Sequence, residues 1–288
     1  MKKISLKSVK TKELISLMKR SSSLDNLVFI GLNGSKYEST SYNRTKSALK
    51  SVSADLEQLC EEFSNPFGDE HVKIQFSNAN KVITTLTLVG DETLDVDIYV
   101  DDDNYAKKMV VRNNEVNVTV NCADKEAVDF LEIPESARQS IFEDVSKLQC
   151  SVGINESELK KIRGFFGLNK ESVRVFFNLI DGNEMVVSEI ESTDENVRQE
   201  VNEIIQNNNY EDFRKFDKLY DKKLITTDFS KTDGVDNYLA CFNKQYFDLI
   251  DSDKQYVIEF HSNKIKFISD DEESGVKTYV VLTPVRFA

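Results

Sequence analysis

Two stretches of the chain follow one hydrophobic and polar plan: an apolar run, a turn pair containing glycine, then a second run that roughly alternates. They are LVFIGLNGSKYESTSY at 27–42 and FFNLIDGNEMVVSEI at 176–190. Asn33-Gly34 and Asp181-Gly182 stand where a β-hairpin turns, because both turn positions call for positive φ. Before the first hairpin, ISLKSV (4–9) has the composition of a strand. A period of three to four from Thr11 to about Ser21 predicts a helix with Thr11 as its N-cap and Leu14, Leu17 and Met18 on one face. After the hairpin, ALKSVS (48–53) predicts a strand and ADLEQLCEEF (54–63) a second amphipathic helix. HVKIQF, KVITTLTL and LDVDIYV then predict three further strands.

The second half repeats this order. CSVGI (150–154) predicts a strand, and NESELKKIRGFF (155–166) a helix with Asn155 as N-cap and Glu158 completing a capping box. Behind the hairpin come DNYLACF (236–242), a short helix NKQYFDLI (243–250), and closing strands in YVIEFHSNKIKFIS and VKTYVVLTPV (276–285). QFSNANKVI at 75–83 also resembles EFHSNKIKFI at 259–268. Aligning KELISLM with SELKKIR shifts the chain by 145 residues, and aligning the two turn pairs shifts it by 148, both close to half its length. The period is too long for a solenoid. It predicts an α+β protein of two similarly built domains, 1–123 and 148–288. A connector with a short helix at 124–147 lies between them, and a polar insertion with helical character lies at about 189–215. A length of 288 residues agrees with two domains.

Composition narrows the setting. Three Pro and ten Gly argue against a linker-rich chain. The opening MKKISLKSVKTKEL is basic without an apolar core, and no stretch approaches about 18 apolar residues, so neither a signal peptide nor a membrane span is expected. Cys60, Cys122, Cys150 and Cys241 are isolated and read as thiols of a reducing cytoplasm. The net charge is −13, yet residues 1–50 carry 11 Lys/Arg against Glu13, Asp25 and Glu38, a net of +8, which leaves −21 for the rest. The predicted chain is polarised, with a basic face on an acidic body.

Candidate chemistry is sparse. No phosphate-binding glycine loop, zinc-protease motif or nucleophile elbow occurs. His71 and His261 lie far apart and read as surface residues. In LDVDIYVDDDNY (94–105), Asp95 and Asp97 share one face of a strand and could hold Mg²⁺ for nucleotidyl transfer, with Gly34-Ser35 as a distant phosphate loop. On the simpler account these carboxylates face water while Leu94, Val96, Ile98 and Val100 face a core, and Asp101 to Asp103 form a solvated turn. A non-catalytic structural or interaction protein is a further alternative. The first helix of each half places cations opposite its apolar stripe. That arrangement suits the phosphates of duplex DNA without reading bases, and no aromatic side chains interleave to stack single strands.

The order of strand, basic helix, hairpin, strand, helix and strands, twice over, resembles the DNA sliding clamps. These include proliferating cell nuclear antigen, the bacterial beta clamp and the clamps of tailed bacteriophages. The closing segment, NYLACFNKQYFDLIDSDKQYVIEFHSNKIKFISDDEESGVKTYVVLTPVRF, is most similar to a bacteriophage clamp, and YVVLTPV resembles the terminal strand and tail of clamps generally. The resemblance implies two clamp-type domains with antiparallel sheets outside and helices on one face, assembling as a homotrimeric ring. It implies a non-enzymatic DNA polymerase processivity factor without cofactor or metal. Its partners would be duplex DNA, a replicative polymerase and a clamp loader, in the host cytoplasm if the source is viral. Lys12, Lys19, Arg20, Lys160, Lys161, Arg163 and Lys244 would face DNA. Ile133, Pro134, Pro284 and Val285 would lie at a pocket for partner peptides. Asp55, Glu57, Glu61 and Glu62 on the helix predicted at 54–63 suit a DNA-facing wall poorly.

Overall fold

The computed structural model describes residues 1–22, 24, 26–43, 47–90, 92–128, 133, 148–168, 174–189, 196, 199–200, 202–204, 222–226, 229–251, 253–261, 264–272 and 274–283. The chain divides into two units, Met1–Phe142 with Asp270–Tyr279, and Glu143–Ser269 with Val280–Ala288. The first contains β1 (Lys2–Lys10), α1 (Thr11–Ser21), β2 (Val28–Asn33), β3 (Lys36–Tyr42), β4 (Ala48–Asp55), β5 (Glu62–Ser64), β6 (Val72–Phe76), α2 (Ala79–Val89), β7 (Thr93–Val100), β8 (Ala106–Arg112) and β9 (Asn117–Asn121). A single helical turn, Lys125–Val128, follows. The second contains β10 (Leu148–Ile154), α3 (Glu156–Gly167), β11 (Arg174–Ile180), β12 (Glu184–Glu189), β13 (Lys222–Thr226), β14 (Phe229–Gly234), β15 (Tyr238–Asn243), a 3-10 helix at Lys244–Leu249 and β16 (Tyr256–His261). It closes with β17 (Ile265–Asp271) and β18 (Val276–Leu282), each of which has residues counted with both units.

Strand order makes the duplication explicit. In the first unit the orders are β5-β1-β7-β8-β9 and β4-β3-β2-β6; in the second they run β14-β10-β16-β17-β18 and β13-β12-β11-β15. Adding nine to every strand number of the first unit reproduces the second. The ladders β1–β7, β2–β3, β10–β16 and β11–β12 are all antiparallel. The two halves of the sequence therefore build one topology twice.

Each unit buries its own core. In the first, alternate residues of β1 and β7 (Ile4, Leu6, Leu94, Val96) meet Leu32 and Ile74 of the other sheet and the stripes of α1 and α2. In the second, aromatic rings do this work. Phe166 of α3 meets Phe247 of the 3-10 helix edge-on at 4.9 Å, and Phe177 of β11 stacks on Phe242 of β15 at 5.2 Å. The 3-10 helix thus takes the place that α2 holds beside α1.

Several local expectations are corrected. The stretch 54–63 is not a helix. Cross-strand pairing with β3 carries β4 through Asp55, whose carboxylate accepts from the Glu57 N–H at 3.1 Å and starts a 3-10 turn, Leu56–Gln58. Phe63 then pairs opposite Leu6 as part of β5. Tertiary pairing overrides a helical period here. Conversely KVITTLTL, which reads as a strand by its β-branched content, lies in α2. Ala79, Val82, Leu86 and Val89 recur at helical spacing and are buried, and the Thr85 and Thr87 hydroxyls donate to the carbonyls four residues back. Asn78 caps α2 by accepting from the Lys81 N–H at 2.9 Å, and Gly90 at φ 36° ends it in the left-handed region.

Thr11 proves to be the first helical residue of α1, with Lys10 in the N-cap position and no side-chain cap. At the first hairpin Asn33 pairs with Lys36, so Gly34-Ser35 form the loop and only Gly34 has positive φ. At the second, Asp181 and Gly182 both have positive φ, in a loop of three residues. His261 is buried, with Nε2 3.0 Å from Glu259, while His71 stays exposed. Most of 124–147 and of 189–215 lies outside the described residues.

The Asn78 cap is a direct check on α2. Asn78→Ala removes the acceptor for the Lys81 N–H and for the Asn26 amide. It should destabilise the chain by about 1 kcal/mol, read as a lower urea midpoint with unchanged slope.

Candidate nucleic-acid interface

The apolar stripe of α1 decides where its cations go. Leu14, Leu17, Met18 and Ser21 are buried, and the Ser21 hydroxyl is 2.7 Å from the Tyr37 hydroxyl, which pins the C-terminal turn. Lys12 and Lys19 therefore emerge on the opposite face, both exposed, and Arg20 lies beside them half-buried. Neither Lys12 nor Lys19 has an acidic partner among the described residues. Helix α2 packs against α1 and exposes Asn80, Lys81, Thr84 and Thr87. It contains no acid, and Lys81 is likewise without an acidic partner among the described residues. Lys81 was missed in the sequence because its segment reads as a strand; the Asn78 and Gly90 end signals around an eleven-residue span were the clue.

Helix α3 occupies the equivalent position in the second unit. It packs on β13, the counterpart of β4, against which α1 packs. Asn155 caps it, accepting from the Glu158 N–H at 3.0 Å. Leu159, Ile162 and Phe166 face inward and coincide with Leu14, Leu17 and Ser21 at the shift of 145. The cations do not coincide, and each is met by an acid. Lys160 binds Glu156 one turn earlier, Lys161 binds Glu158, and Arg163 reaches Asp248 of the 3-10 helix at 3.3 Å. Lys244 is 15% exposed, lies 2.6 Å from the buried Glu189 and sits over the Phe166 ring, so it belongs to the interior and not to the basic surface.

No protein-family model matches the chain, and no curated protein sequence does. Solved structures match it along nearly its whole length. The PCNA of A. fulgidus, with the C-terminal region of FEN-1 bound, is 14% identical at a TM-score of 0.64, covering 98% of this chain and 98% of that one. The PCNA2-PCNA3 complex of Sulfolobus tokodaii is 8% identical at a TM-score of 0.63, covering 97% of this chain and 98% of that one. The chain has the sliding-clamp fold. The expected α+β architecture of two clamp-type domains is thereby established.

Within the clamp fold, Asp95 and Asp97 are not the solvated pair expected. Asp97 is buried, with its carboxylate 2.7 Å from the Ser5 hydroxyl, 2.8 Å from Arg112 and 3.3 Å from Lys3. Asp95 accepts from Lys7 at 2.7 Å and from the Ser8 N–H at 3.1 Å, where a bulge in β1 holds Ser8 at φ 51°. Burial alone would raise the Asp97 carboxyl, but the Ser5 hydrogen bond and the charges of Arg112 and Lys3 hold it below the ordinary range. Burial acts the same way on Asp95 and is likewise outweighed, by Lys7, Ser8 and Arg112. These carboxylates are the counter-charges of a cross-strand network. Among the described residues no group of three or more His, Cys, Asp or Glu is placed to hold a metal.

The remaining sequence candidates divide. Ile133 is half-buried, whereas Pro134, Pro284 and Val285 lie outside the described residues. Cys122, Cys150 and Cys241 are free thiols pushed up by burial to about 12, so none is a nucleophile at neutral pH. No helix among the described residues is long and apolar enough to cross a membrane.

The carboxylate network carries a pH signature. A lowered folded-state pKa gives stability that is present above the unfolded value of about 3.9 and lost as pH falls through the folded value. Asp97→Asn should therefore cost about 1–3 kcal/mol at pH 7. The gap from the parent chain should shrink as pH drops below about 4, measured by urea midpoints at several pH values.

Proposed function

We propose that the chain is a DNA sliding clamp, a non-enzymatic processivity factor that encircles duplex DNA and tethers a replicative polymerase. The observation that carries this reading is the constant offset of nine in strand order between the halves, joined to similarity with clamps along nearly the whole chain. Two matching units per chain suit a homotrimer, giving six repeats around a hole. Helices that bury one stripe and turn cations outward suit a wall facing phosphates. An acidic body around such a wall discourages binding of DNA elsewhere. A closed ring needs only weak contacts to the duplex, because topology and not affinity retains it.

A clamp recruits enzymes and performs no chemistry of its own, in keeping with Asp95 and Asp97 being committed to Lys3, Lys7 and Arg112. The A. fulgidus protein holds the C-terminal region of FEN-1, which supports peptide capture as the mode of partner binding. Ile133, Pro134, Pro284 and Val285 are the residues we assign to that pocket. A clamp loader would open the ring. The likeness of the closing segment to bacteriophage clamps favours viral replication in a host cytoplasm.

Retention on DNA of different topology tests the proposal. Sedimentation equilibrium should give about 99 kDa, three times the 32.9 kDa chain. Protein loaded onto nicked circular duplex by a clamp loader should survive gel filtration in high salt and be lost on linearisation. A monomer at high micromolar concentration, or equal retention on linear and circular DNA, would refute it.

A further inference from the structure

The duplication preserves topology but not charge availability. In the first unit, α1 carries Lys12, Lys19 and Arg20 against Glu13, and α2 adds Lys81 with no acid, a net of +3 for the two helices. In the second unit, α3 carries Lys160, Lys161 and Arg163 against Glu156 and Glu158, and the 3-10 helix adds Lys244 against Asp248, a net of +1. Pairing deepens the contrast. Lys12, Lys19 and Lys81 have no acidic partner among the described residues, whereas all four second-unit cations are engaged by carboxylates.

Resting on the clamp reading above, we infer that the duplex is held by the first unit alone. Lys12, Lys19 and Lys81 bind its phosphates, and the second unit presents a near-neutral wall. The physical reason is local neutrality. Lys160 meets a phosphate only beside Glu156, whose charge one helical turn away offsets that of the lysine and repels the same phosphate. Lys161 is held by Glu158, a buried carboxylate whose charge competes with a phosphate for the same ammonium. Lys244 is held inside by Glu189. Lys12, Lys19 and Lys81 forfeit nothing on meeting a phosphate, and each releases counter-ions from the duplex. The neighbouring surface of α2 adds Asn80 and Thr84, uncharged side chains that can donate to a phosphate without releasing counter-ions. In a ring of several copies, basic and neutral sectors would alternate, leaving the duplex few firm holds at any moment and a low barrier to sliding.

Binding of a short fluorescent duplex to the full chain, followed by anisotropy across a salt series, tests this. Replacing Lys12, Lys19 and Lys81 by Gln should weaken binding at least about tenfold near 0.1 M salt and flatten the salt slope by about 0.9 for each phosphate no longer neutralised. Removing whole ion pairs, Lys160 with Glu156 and Arg163 with Asp248 as Lys160→Gln, Glu156→Gln, Arg163→Gln and Asp248→Asn, should change affinity less than about twofold and leave the slope alone. Glu156→Gln, which frees Lys160 without touching the core, should tighten binding. Thermal melts of each variant separate weakened binding from unfolding. Equal weakening by the first-unit triple variant and the charge-balanced second-unit variant, or no gain from Glu156→Gln, would overturn the asymmetry while leaving the clamp reading intact. A parent chain with no salt-dependent duplex binding at all would overturn the clamp reading and the asymmetry together.

Discussion

Burial of one stripe of the first helix in each unit is the constraint on which the rest depends. Leu14 and Leu17 in α1, and Leu159 and Ile162 in α3, are removed from water by the sheet beneath them. At about 25 cal/mol per Å² of apolar surface, such stripes outweigh any preference of the surface charges. Once they are seated, the helix has no rotational freedom left. Whatever occupies the opposite face is presented outward, and in both units that face holds Lys and Arg.

What differs between the units is how the outward charge is answered. The basic opening segment is not uniformly available. Lys3 and Lys7 are taken up by Asp97 and Asp95 across the β1–β7 ladder, and Lys50 is buried in β4. Lys12 and Lys19 of α1 stay on the surface, as do Lys10 and Lys36, and α2 adds Lys81 beyond the opening segment. In α3, Glu156 four residues before Lys160 and Glu158 three residues before Lys161 answer them within the helix, the spacings at which helical neighbours meet. Two halves with one topology have thus been given different electrostatic tasks, a division that charge counting along the sequence blurs.

The repeat was legible because its carriers are local. Glycine turn pairs and apolar periods survive at the shifts of 148 and 145 even where few residues are identical. The same locality explains the errors. The stretch 54–63 has a helical period, but the pairing of β4 with β3 runs into it as far as Asp55 and β5 takes its end. KVITTLTL has strand propensity, but a cap at Asn78, a left-handed Gly90 and a buried stripe make it α2. Of the acids that spoiled the expected second DNA-facing helix, Asp55 ends β4, Glu57 lies in a 3-10 turn, Glu61 precedes β5 and Glu62 begins it, whereas α2 has none.

The amino-acid order by itself determined the duplication, the fold class and the outward cationic face of α1, since each depends on residues within a few positions of one another. Only the tertiary structure decided which charges remain available. It brought Asp248 to Arg163, Glu189 to Lys244 and Asp97 to Lys3 from 85, 55 and 94 residues away. It also turned a β-branched run into the helix that exposes Lys81. Electrostatic partnership falls off with distance in space, and beyond the three- and four-residue spacings of a helix, separation along the chain carries almost no information about it.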